Sequence, residues 1–149
     1  MNSFWRISLF STLFTLSSNA CRLLFKFAKN EVNDGLFMRC DLVTPLLETL
    51  STTRLSSAED GIVYAAGALK FLSGNPDIAR EMTKRNAVET MGKIVREGME
   101  DVIGRENATE TNNAQSMAVI TNALVQITST VRRLVTKEDQ RKTCEWQCT

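Results

Sequence analysis

The chain has 149 residues, 43% apolar and 23% charged with only two prolines, a composition that excludes a disordered or fibrous protein. Its 18 Lys and Arg against 17 Asp and Glu leave a formal charge of +1, so nothing in the overall balance calls for nucleic acid or a membrane as partner. There is no histidine, and Cys21, Cys40, Cys144 and Cys148 form no Cys-x-x-Cys pair, so no metal, no cofactor and no enzyme are expected.

Residues 1–17 are an apolar amino-terminal segment. Arg6 precedes an apolar run from Ile7 to Leu16, and Ser17, Ser18 and Ala20 follow, a pattern that resembles a short secretory signal. The run is shorter than the roughly 20 residues that span a bilayer. Two readings compete. In one, residues 4–16 are the buried helix of a preceding or terminal repeat, acting as a cap or leaving a patch that drives self-association. In the other, cleavage after Ala20 yields a secreted or membrane-associated helical protein, with disulfides and a glycosylation acceptor at Asn107-Ala108-Thr109. The apolar pattern continues from Cys21 to Ala28 as a helix that such a cut would open, which favours a cytoplasmic chain.

Cys21, Leu24, Phe25 and Ala28 recur at spacings of three and four and predict a helix over 18–29, with Arg22, Lys26 and Lys29 on its polar flank. A break at Asn30 to Asp34 and a short helix over 35–39 follow. The stripe Val43, Leu46, Leu47 and Leu50 predicts a helix over 42–50, capped by Asp41 and with Pro45 tolerated in its opening turn. After a polar linker, Ser57 and Asp60 resemble a capping box for a long helix over 58–73, stopped by Gly74. Asn75 and Pro76 read as an N-cap and first helical residue, starting a helix that runs to Arg85. A further helix is expected over 87–100, then an exposed loop over 99–113. Residues 114–135 form the longest helix, built on Met117, Ile120, Ala123, Leu124, Ile127, Val131 and Leu134. The tail over 137–149 loses the periodicity and is expected to fray. Carboxylate pairs such as Glu59 and Asp60, or Glu97 and Glu100, read as solvated helix faces and not as acid/base machinery.

The helices follow an order of long, short, medium, and the order repeats. Leu23, Leu24 and Asn30 recur as Ala68, Leu69 and Asn75, and Val43, Leu46 and Leu50 recur as Val88, Met91 and Val95, all at an offset of 45 residues. Self-similarity at about 40–47 residues marks a helical solenoid, in which each unit completes its core against its neighbours. The fold class is therefore an all-α solenoid of three-helix repeats, about two and a half of them over 18–136.

Three stretches resemble armadillo repeats. Gly67-Ala68-Leu69-Lys70-Phe71-Leu72-Ser73-Gly74-Asn75 is similar to the end of that family's third helix. Arg85-Asn86-Ala87-Val88-Glu89 and Asp41-Leu42-Val43-Thr44-Pro45-Leu46-Leu47 resemble the junction between its first and second helices. The resemblance implies a right-handed solenoid and a non-catalytic protein-binding scaffold. More narrowly, the similarity of Cys21 to Phe27 and of Val125 to Thr130 to one longer member implies a cytoplasmic or axonemal setting. Its partners would then be proteins of cilium and sperm-flagellum assembly. In armadillo proteins that carry nuclear-import cargo, third-helix Trp and Asn residues clamp an extended peptide. Here Gly67 and Asn122 occupy the Trp positions, and Lys26, Phe71 and Gln126 the Asn positions, so a receptor of that kind is not expected. The candidate partner-binding groove is Lys26, Lys70, Phe71, Asn122 and Gln126, with Phe71 as an apolar anchor.

Overall fold

The structure, a computed structural model, describes residues 18–55, 60–106 and 113–147. Those residues hold seven α-helices and no strand: α1 Ser18–Ala28, α2 Asp34–Arg39, α3 Val43–Thr52, α4 Asp60–Leu72, α5 Pro76–Lys84, α6 Ala87–Glu106 and α7 Asn113–Gln147. A 3-10 turn, Glu31–Asn33, joins α1 to α2. Helix α4 packs against both α1 and α7, α3 packs on α4, and α6 packs on α7 and on α3. The arrangement is an all-α solenoid in which α1, α4 and α7 are the successive third helices.

The 45-residue register is visible in the backbone. Asn30 and Asn75 both sit in extended conformation, and each side-chain oxygen accepts from backbone amides that begin the next helix: Val32 at 3.1 Å for the first, Asp77 at 2.9 Å and Ile78 at 3.3 Å for the second. A side-chain acceptor satisfies amides that a helix start leaves unpaired, which gives the repeated asparagine its physical reason. Eleven residues after each of them, Asp41 and Asn86 take φ of 47° and 56°, the left-handed turn that Asn and Asp tolerate better than other side chains. That turn ends the first helix of each repeat and starts the second.

Asp41 does not cap α3 as expected. The cap position is Leu42, without a side-chain bond, while Asp41 accepts from the Thr44 hydroxyl at 2.9 Å and pairs with Arg85 of the next repeat at 3.1 Å. Arg85 also donates to the Thr44 hydroxyl. The left-handed turn holds Asp41 outside the helix start, and the guanidinium ties the two repeat junctions together.

The core runs through the stack. Phe37, Leu46, Leu50, Ile62, Leu69 and Leu72 are fully buried in the first complete repeat, and Ile78, Met82, Met91, Ile120, Ile127 and Leu134 continue it. Each buried Leu or Ile contributes roughly 1.5–3 kcal/mol of transfer free energy. The small residues of α4 allow close approach: a Cβ at Gly67 would lie 2.6 Å from Phe25 Cε2 of α1.

Two expectations fail at the ends of helices. Residues 99–106, read as loop, continue α6, which reaches 20 residues where α3 has 10. Gly98 is buried beside Leu55 and Leu124, and Val102, one turn on, packs against the core, so the helix pattern persists past the glycine. Helix α7 runs 35 residues to Gln147 in place of a frayed tail from 137. It contains no Gly or Pro, Glu138 pairs with Lys142 one turn later at 3.3 Å, and Lys137 is held by α4. The segment over 1–17, with its proposed cap, signal or self-association role, lies outside the described residues, as do Ser57 of the expected capping box and the sequon at Asn107.

Candidate functional site

The third helices carry the candidate residues on continuous stripes. Along α1 and the residue just past its end, Arg22, Phe25, Lys26 and Lys29 follow one another at spacings of three and four. In α4, Asp60, Tyr64, Gly67 and Phe71 do the same, with Lys70 beside them. In α7, Asn122, Gln126, Ser129, Arg133 and Lys137 make the third stripe. The five residues expected from sequence thus fall on three stacked helices.

What joins the stripes is an aromatic seam. The Phe25 ring lies over the bare backbone of Gly67, with its centroid 5.7 Å from Tyr64 and 5.9 Å from Phe71, both tilted contacts of the favourable kind. Cations flank every ring. Lys29 Nζ sits 4.4 Å from the centre of Phe25, Lys70 Nζ 5.9 Å from Phe71, and the Arg22 guanidinium 6.0 Å from Tyr64. Phe71 remains 40% exposed, so its ring both packs between repeats and presents a face to solvent.

The carboxyl end of α4 is closed by α7. Arg133 Nη1 donates to the Lys70 carbonyl at 2.7 Å, and Lys137 Nζ donates to the carbonyls of Ser73 at 2.7 Å and Gly74 at 2.6 Å. These carbonyls form the negative end of the helix dipole, where cations are favoured. Burial, and then the charge of Arg133, lower the Lys137 pKa from its ordinary value of 10.5. The clamp fixes Lys70 and Phe71 relative to α7. On that helix, Asn122 is exposed and Gln126 half-buried, and neither side-chain amide is engaged among the described residues. An unengaged amide offers both a donor and an acceptor to an extended backbone.

Phe25 and Tyr64 were missed from sequence. Phe25 reads as a core residue of α1, and Tyr64 carries no motif. The available signal was the interleaving of Arg22, Phe25, Lys26 and Lys29, together with a glycine at position 67 where a ring from another helix can rest. Lys26 extends along the same face of α1 without a ring contact among the described residues. Cys21, on the buried side of α1, has its thiol pushed up to about 11 by burial and so stays protonated and unreactive at neutral pH. No buried side-chain nitrogen or oxygen among the described residues lacks a hydrogen-bond partner, and no helix among them is long and apolar enough to cross a membrane.

Aligned over 117 residues, the chain is 37% identical to armadillo repeat-containing protein 2 of Mus musculus and 32% identical to the proteins of that name from Bos taurus and Homo sapiens. Each alignment takes in 78% of this chain and 13% of the relative, so the chain spans a small part of the length of the curated proteins it matches. No family model matches the chain, and no solved structure matches it significantly.

Proposed function

We propose that the chain, similar over 117 residues to armadillo repeat-containing protein 2, is a non-catalytic docking module of the armadillo-repeat type whose third-helix face holds an extended segment of another protein. The observation that carries this reading is the seam Phe25, Tyr64 and Phe71, a half-buried aromatic strip with Phe71 exposed, crossing a repeat boundary with charged and amide groups beside it. Rigid aromatic rings at the centre of a surface, rimmed by polar groups, are the usual anchors of protein recognition. A stacked-helix scaffold presents them without further ordering, which lowers the entropic cost of binding.

Within that reading, Phe71 is the apolar anchor, Lys26 and Lys70 supply charge, and Asn122 and Gln126 meet the backbone of the bound segment. The setting we assign is cytoplasmic, in the assembly of cilia and flagella, which is what the family resemblance implies. Affinity capture from an extract of ciliated cells tests both parts. Wild-type protein should recover axonemal or flagellar-assembly proteins, and Phe71→Ala should lose them at unchanged helicity, because the ring is 40% exposed and stands outside the buried core cluster. Equal recovery by the two proteins, or recovery without axonemal components, would contradict the proposal.

A further inference from the structure

We infer that the occupant of the third-helix face is an acidic, extended protein segment. The inference rests on the docking reading above and adds the charge of the ligand to it. Although the whole chain is nearly neutral, its charges are unevenly matched. Helix α5 and the junction after it pair their cations locally: Arg85 with Asp41 and Glu81, Lys84 with Glu81 and Arg80 with Asp77. On the third-helix face, Arg22, Lys26, Lys29, Lys70 and Arg133 enter no ion pair among the described residues. Helix α1 contains no acidic residue at all, and Asp60, at the amino end of α4, is the one carboxylate on the three stripes described above.

These cations are positioned rather than scattered. Lys29, Arg22 and Lys70 lie beside rings, and Arg133 is anchored to the Lys70 carbonyl, so the positive groups border the aromatic strip on which a bound chain would lie. A strip of one sign attracts and orients the opposite sign, and a carboxylate can accept from Lys29 or Arg22 while its backbone stays over the rings. Asn122 and Gln126 continue the same face onto α7 with peptide-like amides, which fits a polypeptide better than a phosphodiester chain.

The test is fluorescence anisotropy with the full chain and three labelled probes: a flexible peptide of alternating Glu and Ser with one central Phe, the same peptide with Lys for every Glu, and single-stranded oligothymidylate. The Glu peptide should bind best. Its affinity should fall by about tenfold or more as the Debye length shrinks from about 10 Å at 0.1 M salt to about 3 Å at 1 M. The double variant Lys26→Glu, Lys29→Glu, both exposed positions, should weaken it by at least about tenfold with unchanged helicity, through like-charge repulsion. Failure of all three probes to bind, equal or tighter binding of the Lys peptide, tighter binding of oligothymidylate, or indifference of the Glu peptide to the double variant would overturn the inference. Equal or tighter binding of the Lys peptide that is lost in Phe71→Ala would overturn it while leaving the docking reading intact. Binding of every probe that ignores Phe71→Ala would remove both.

Discussion

The first-helix side and the third-helix side of this solenoid treat their cations in different ways. Around α5 and the junction after it, Arg80, Lys84 and Arg85 each find a carboxylate within the helix or across the repeat junction, as Arg85 does with Asp41 at 3.1 Å. On the third-helix face, Arg22, Lys29 and Lys70 instead meet ring faces, and Arg133 and Lys137 meet carbonyls at the end of α4. A carboxylate partner neutralises a cation, whereas a ring or a carbonyl holds it in place and leaves its charge available. One side of the molecule is electrostatically closed, and the other is open to a ligand.

The largest expected effect comes from the core that both sides share. Leu69 is fully buried in α4, the helix that packs against both α1 and α7. Leu69→Ala should cost about 3 kcal/mol in a denaturant melt, within the usual range for large-to-small core substitutions, and should loosen both faces together. A cost below about 1 kcal/mol would mean that α4 is not the centre of the stack. A smaller effect is expected at the α7 clamp. Lys137→Ala removes the donor to the Ser73 and Gly74 carbonyls and should cost about 1.5 kcal/mol, since bonds from charged donors are worth roughly 1.5–3 kcal/mol before solvent replaces them. Hydrogen exchange should then quicken at the end of α4 and in α7 beyond Leu134, leaving α2 and α5 unchanged. Uniform quickening would show that the clamp is not local.

Much of the scaffold was legible because it is local. The Asn75-Pro76 helix start is a short-range rule acting on adjacent residues, and the 45-residue offset was fixed by apolar positions that the structure buries, Ala68, Leu69 and Met91 among them. What escaped was decided at long range. Gly92, Gly98 and Gly104 weaken the helical signal of α6, since glycine costs roughly 1 kcal/mol relative to alanine in a helix, and at Gly98 the compensation comes from Leu55, beyond the end of α3, and Leu124 of α7. The partners that hold Lys137 are the Ser73 and Gly74 carbonyls just past α4, more than sixty residues earlier, so α7 looked finished at Val135.

The candidate site divides the same way. Phe71 and Lys70 were identified by their place at the end of a third helix. Phe25 and Tyr64 become surface features only when α1 lies across Gly67, a contact that periodicity within either helix does not reveal. The apolar spacing of Phe25 assigned it to the core, and its ring is half-buried there while facing the seam.

The contrast between the two sides is tested most directly by two double charge reversals that alter the net charge equally, Lys26→Glu with Lys29→Glu on α1 and Arg80→Glu with Lys84→Glu on α5, each measured for affinity toward the Glu peptide at low salt. The account predicts a loss of at least about tenfold for the α1 pair and a change below about threefold for the α5 pair, because only the first lies on the face that receives the ligand. Equal losses in the two variants would mean that net charge, and not the third-helix face, governs binding.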